Sequence, residues 1–116
     1  MDVQVSVERE YWWVPTWKDN DKDAKPCRFR KRMLSGGERV RFLNAIGGQI
    51  KMDSEGVLQA TVLEVEGLTA SGTPVLTARD VCKYGEMYLL ILESVTESMS
   101  HTGGVDLKNS SLPSPG

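Results

Sequence analysis

Few residues in this chain have side chains able to do chemistry, and their neighbours decide what each can do. His101 is the single histidine. A Ser-His-Asp or Cys-His system needs that imidazole held between a nucleophile and an orienting acid. Its surroundings are rich in Ser and Gly, so the expectation is a solvated side chain in a tail. Ser35-Gly36-Gly37-Glu38 falls between an expected strand and an expected helix, where phosphate-binding loops also fall. The longer glycine spacing and the Lys-Ser/Thr pair of that motif are missing, and Glu38 would repel phosphate. A tight strand-to-helix turn is expected instead. Asp19-Asn20-Asp21-Lys22-Asp23 has the opening spacing of a calcium loop. Ala24 stands where that loop requires Gly, and Arg30 where it requires the closing Glu. Cys27 and Cys82 are the two cysteines. With His101 they are too few for a tetrahedral zinc site, and they are expected as free thiols in a reducing compartment. No catalytic residue, metal site or cofactor is expected.

The residues suited to binding are better grouped. Arg28, Arg30, Lys31 and Arg32 form a dense basic cluster, and on a strand the three arginines share one face. They could meet phosphates, with Trp12, Trp13 and Trp17 stacking on bases. The competing expectation is that they pair with Glu8, Glu10 or the acidic loop and shield an open sheet. Trp12 and Trp13 must point to opposite faces of one strand, which puts one of them outside the core. Tryptophan is common in binding hot spots, so the outer one marks either a partner site or a ring packed under the loop, the two readings standing equal. Tyr84 and Tyr88 lie on the stripe of an expected long helix; such a stripe more often serves the core than a partner, and serves both only where it is wide enough.

Those residues need elements to hold them. Val3, Val5 and Val7 alternate with polar residues and run on into Tyr11, Trp12, Trp13 and Val14, the pattern of a half-buried strand stopped by Pro15. After an exposed loop over residues 18–25, Cys27, Phe29, Lys31 and Met33 alternate with the arginines, predicting a second strand antiparallel to the first. Ser35 and Glu38 form a capping box for a helix carrying Val40, Leu43 and Ile46 and ended by Gly47 and Gly48. Asp53 or Ser54 caps a second helix with Val57, Leu58, Thr61, Val62 and Val65 on its face and Gly67 at its end, although 60–65 also fits a strand. Residues 69–75 make a turn. Thr77 and Asp80 cap a third helix, on which Val81, Tyr84, Tyr88, Ile91, Val95 and Met99 recur at three- and four-residue intervals. From Ser100 the chain turns Ser-, Gly- and Pro-rich. The expected fold is α+β: an N-terminal antiparallel hairpin packed on about three α-helices over residues 1–100, with a flexible C-terminal tail over 101–116.

The chain has 116 residues, enough for one core. Its formal net charge of -2 argues against wholesale attraction to nucleic acid or anionic membrane. Residues 1–10 lack the apolar run of a signal peptide, and no stretch reaches the length of a membrane span. A cytoplasmic protein is expected.

Pro26-Cys27-Arg28-Phe29-Arg30, Leu34-Ser35-Gly36-Gly37-Glu38, Val65-Glu66-Gly67-Leu68, Ser71-Gly72-Thr73-Pro74-Val75 and Lys108-Asn109-Ser110-Ser111 follow one another in a layout spanning most of the chain. That layout resembles the tail assembly chaperones of long-tailed bacteriophages. The resemblance implies a non-enzymatic role in virion morphogenesis. Such proteins bind the tape measure protein, keep its long apolar helix soluble in the host cytoplasm until tube subunits assemble, and tend to self-associate. It implies no residue roles. The second expectation is a small nucleic-acid-binding or regulatory protein using the Arg28–Arg32 strand.

Overall fold

The computed structural model describes residues 1–46 and 49–103. It is an α+β fold. β1 (Glu10–Trp13), β2 (Arg28–Arg32) and β5 (Val62–Glu66) form an antiparallel sheet in the order β1-β2-β5. Tyr11 faces Lys31 and Trp13 faces Phe29 across the first pair. An irregularity between Arg30 and Lys31 shifts the register of the second. Alternation divides the sheet residues: Phe29, Lys31, Val62 and Val65 are buried, while the arginines of β2 lie on the other face, half in solvent.

Helices close the inner face. α2 (Ser54–Thr61) and α4 (Tyr88–Ser100) pack on each other, and α3 (Ala78–Cys82) leads into α4. Phe29, Leu58, Val65, Val75, Val81, Met87 and Leu90 form the main core, and Leu34, Val57 and Val95 a second cluster between α1 (Gly36–Arg41), α2 and α4. β6 (Thr69–Ala70) and β7 (Thr73–Pro74) make a minimal hairpin. Its two turn residues, Ser71 and Gly72, both have positive φ, the backbone that a two-residue hairpin turn requires.

Four expectations give way to the structure. Val3, Val5 and Val7 are not in a strand: they lie 68, 72 and 92% exposed, because among the described residues no neighbouring strand offers residues 1–8 hydrogen bonds. The helix begun at Ser35 stops at Arg41 rather than running on to Ile46. Its capping box is present, with Ser35 Oγ accepting from the Glu38 amide and the Glu38 carboxylate from the Ser35 amide. β3 (Leu43–Ile46) then pairs with β4 (Gln49–Met52), since a hairpin satisfies both segments' backbone groups at once. Gly47 and Gly48, expected as a helix end, lie outside the described residues.

The second helix ends at Thr61. The β-branched residues after it favour extended backbone, and β2 offers them an edge. The third helix is two: Tyr84 is extended, and Gly85 opens a short 3-10 turn before α4. Glycine is among the costliest residues in a helix interior, which explains the break. The described part of the expected tail, residues 101–103, is packed against the domain, and 104–116 lie outside the described residues. Among the described residues no helix is long and apolar enough to cross a membrane.

Ser94 is buried between α4 and the sheet, and its hydroxyl has no hydrogen-bond partner. A buried unpaired polar group carries its desolvation cost uncompensated. Ser94→Ala is therefore expected to raise stability by about 1 kcal/mol, read as a shift of the urea midpoint at unchanged slope. A loss of stability of that size would show that the hydroxyl is satisfied.

Candidate binding surfaces

The outer face of the sheet gathers half of the residues expected to bind, Trp12 and the three arginines. Trp12 is 41% exposed, and the Arg28 guanidinium lies 3.9 Å from its ring centroid. Arg28 Nε donates to Glu66 at 2.9 Å. Arg30 donates to Glu64 and to Glu10, both at 2.7 Å. Arg32 makes a two-pronged contact with Glu38, at 3.0 and 2.6 Å. That fork and the Ser35 amide push the Glu38 carboxyl down to about 2. Each arginine thus meets a carboxylate. Glu10 is the one partner anticipated; Glu64, Glu66 and Glu38 take the places assigned to Glu8 and the acidic loop. A shallow cleft of about 390 Å³ beside this face is lined by Arg9, Glu10, Arg32, Met33, Ser35 and Glu38. Glu38 sits beside its Arg32 guanidinium and Glu10 also lines it, which leaves it poorly suited to an anion.

The other expected site residues separate. Trp13 turns inward with its ring edge against Phe29, centroids 5.4 Å apart. Trp17 packs partly buried on the core, with Lys18 Nζ 4.9 Å from its ring. The Thr16 and Trp17 amides and the Thr16 hydroxyl all donate to the Glu93 carboxylate, which fastens this loop to α4. Tyr84 and Tyr88 do not share a stripe, because the chain breaks between them. Tyr84 packs against the core, whereas Tyr88 stands 60% exposed. Leu89 beside it is 62% exposed, and Leu92 lies one turn further on. This is an apolar patch on the solvent side of α4.

A polar cluster missed in the sequence lies beneath β1 and β2. Lys31 is fully buried. Its ammonium donates to the Ser94 carbonyl at 2.8 Å and to Glu97 Oε1 at 2.6 Å, and lies 4.5 Å from the Trp13 ring centroid. The Tyr11 hydroxyl donates to the same oxygen at 2.7 Å. His101 Nδ1 lies 3.1 Å from Glu97 Oε2, and its ring stacks on Tyr11 at 3.7 Å. His101 is therefore not a free tail side chain. Arg39 holds the same end of α4, donating to the carbonyls of Leu34, Met99 and His101.

Burial lowers the Lys31 ammonium to about 8, against the opposing pull of Glu97. Burial and the Glu97 contact push the Tyr11 phenol far above its ordinary value. A lysine of this acidity has the basicity of a carbonyl-attacking amine, but burial keeps Nζ from solvent and commits it to two acceptors. Its evident work is to hold α4 on the sheet. Burial likewise raises the Cys27 thiol, to about 11, which disfavours the reactive thiolate. No group of three or more His, Cys, Asp or Glu among the described residues could hold a metal ion. No protein-family model, curated protein or solved structure matches the chain.

Proposed function

We propose that this chain is a non-enzymatic binding protein, a tail assembly chaperone of the long-tailed phage type. On this reading it holds an apolar helical client, the tape measure protein, in the host cytoplasm. The observation that carries the reading is the exposed pair Tyr88 and Leu89 at the start of α4, with half-buried Leu92 one turn on. Large apolar side chains grouped in water favour a partner that covers them. An amphipathic helix laid against α4 does so with i, i+3 and i+4 contacts. The nucleic-acid reading is weaker, since phosphates would have to displace carboxylates from Arg28, Arg30 and Arg32.

Co-expression with the tape measure protein tests the proposal. The wild type is expected to keep that protein soluble, and Tyr88→Glu with Leu89→Glu to abolish the effect while the thermal midpoint moves little. Capture should be nearly unchanged between 50 and 200 mM salt, the range over which phosphate binding typically falls by orders of magnitude. Equal solubility of the client with and without this protein would refute the reading. Steep salt dependence, with nucleic acid as the recovered partner, would establish the alternative.

A further inference from the structure

Two segments of the chain carry unused capacity for strand pairing, one in its sequence pattern and one at its edges. Residues 1–8 alternate Val3, Val5 and Val7 with Asp2, Gln4, Ser6 and Glu8, and the three valines lie almost wholly in solvent. Among the described residues, no hydrogen bond joins the backbone of residues 1–5 to another element. The second segment is the β3–β4 hairpin, which forms a sheet of its own. A two-stranded sheet is marginal in water, and among the described residues each strand of this one has an unpaired edge. Leu43 pairs with Met52, and Ile50 follows two residues from Met52 on the same face. Their exposures are 42, 37 and 75%, so this face is largely uncovered.

The two segments also match in charge. The arm carries Asp2 and Glu8. The chain from Arg39 to Met52 carries Arg39, Arg41 and Lys51 and no acidic residue. Laid along β4, the arm places its valines on the side of Ile50 and Met52 and its polar residues on the side of Gln49 and Lys51. With two valines against Ile50 and Met52, Gln4 or Ser6 faces Lys51, and Asp2 or Glu8 comes diagonal to it.

We infer that residues 1–8 of one copy add as a strand to the β4 edge of a second copy, and that the exchange is reciprocal. One short strand buries little surface, and a stable interface needs about 1,200 Å² or more. Two exchanges related by a two-fold axis double the buried surface and close the assembly. Backbone pairing supplies the affinity and the alternating valines fix the register. This surface is separate from the α4 patch, so the inference stands apart from the client-binding reading.

The test is light scattering coupled to size exclusion on the full chain from about 1 to 200 μM. The wild type is expected to shift from monomer to dimer across that range. An arm variant (Val3→Asp, Val5→Asp and Val7→Asp together) and an edge variant (Ile50→Asp) should each dissociate at least tenfold more readily. Neither touches the core, and circular dichroism checks that both fold. Mixing the two variants restores one intact arm–edge pair, so the mixture should dimerise more readily than either alone. A monomer at every concentration, an oligomer that survives either variant, or a mixture no better than its parts overturns the inference.

Discussion

Glu97→Ala is expected to lower the unfolding free energy by about 3–5 kcal/mol, the usual result of removing one partner from a buried ion pair. Three groups depend on this carboxylate: the Lys31 ammonium, the Tyr11 hydroxyl and the His101 ring. Lys31 is buried, so no water replaces the lost oxygen at once, and the ammonium is left with the Ser94 carbonyl and the face of the Trp13 ring. Lys31→Met should cost less, because Glu97 keeps two partners and methionine refills the space beside Trp13. The pair Lys31→Met with Glu97→Leu should recover much of the Glu97→Ala loss, since an apolar replacement of a buried ion pair is often neutral. Urea unfolding at pH 7 measures all three. A Glu97→Ala variant within 1 kcal/mol of wild type would show that the cluster contributes little.

The second expectation concerns pH. The Lys31 ammonium titrates near 8 when folded, against an ordinary value of 10.5. Between those values the unfolded chain holds a proton that the native state has released, so this group's contribution to stability rises with pH. Burying the charge thus costs most below pH 8, and the cost is relieved by about pH 10.5. The shift corresponds to about 3 kcal/mol. Other groups act in the opposite direction. Cys27 has a raised thiol value and loses stability for the protein from about pH 9 upward, and Tyr11 does so above about pH 10. The clean measurement is therefore the difference between wild type and Lys31→Met from pH 7 to 10.5. Wild type should gain on the variant by a few kcal/mol across that window. Parallel profiles would show that Lys31 titrates normally.

The sequence revealed the elements with local signals. The capping boxes at Ser35 and Thr77 are both present, because a cap is decided within four residues. The pairing of β1 with β2 across the loop follows from two alternating runs and a polar connection. Opposite facing of Trp12 and Trp13 follows from the pleat. Alternation alone also put Lys31 in the inward set with Cys27 and Phe29, but its charge drew it into the arginine cluster. Its partner lies 66 residues away, and no local pattern announces that. Glu97 does stand one helical turn before His101, a spacing that hints at the one contact within reach of local reading.

The errors fell where one apolar run suits two periods. Val40, Leu43 and Ile46 fit a helix, yet Leu43 and Ile46 also fit a strand, and pairing with β4 decided it. The long helix failed at Gly85, where the apolar stripe continues in the sequence while the backbone breaks. The valines at 3, 5 and 7 carry a strand pattern, but among the described residues no strand pairs with them.

The contacts of α4 set a condition on the order of synthesis. The first strand made, β1, is tied by Tyr11 to Glu97, and β2 is tied by Lys31 to Ser94 and Glu97. Arg39 waits for the carbonyls of Met99 and His101. While the ribosome is still making the middle of the chain, the sheet has an ammonium on its inner face and nothing to pair with it. Such a sheet cannot close its core early. Folding is thus held back until the last described helix emerges, and a chain cut short before Glu97 should reach the cell without a stable fold.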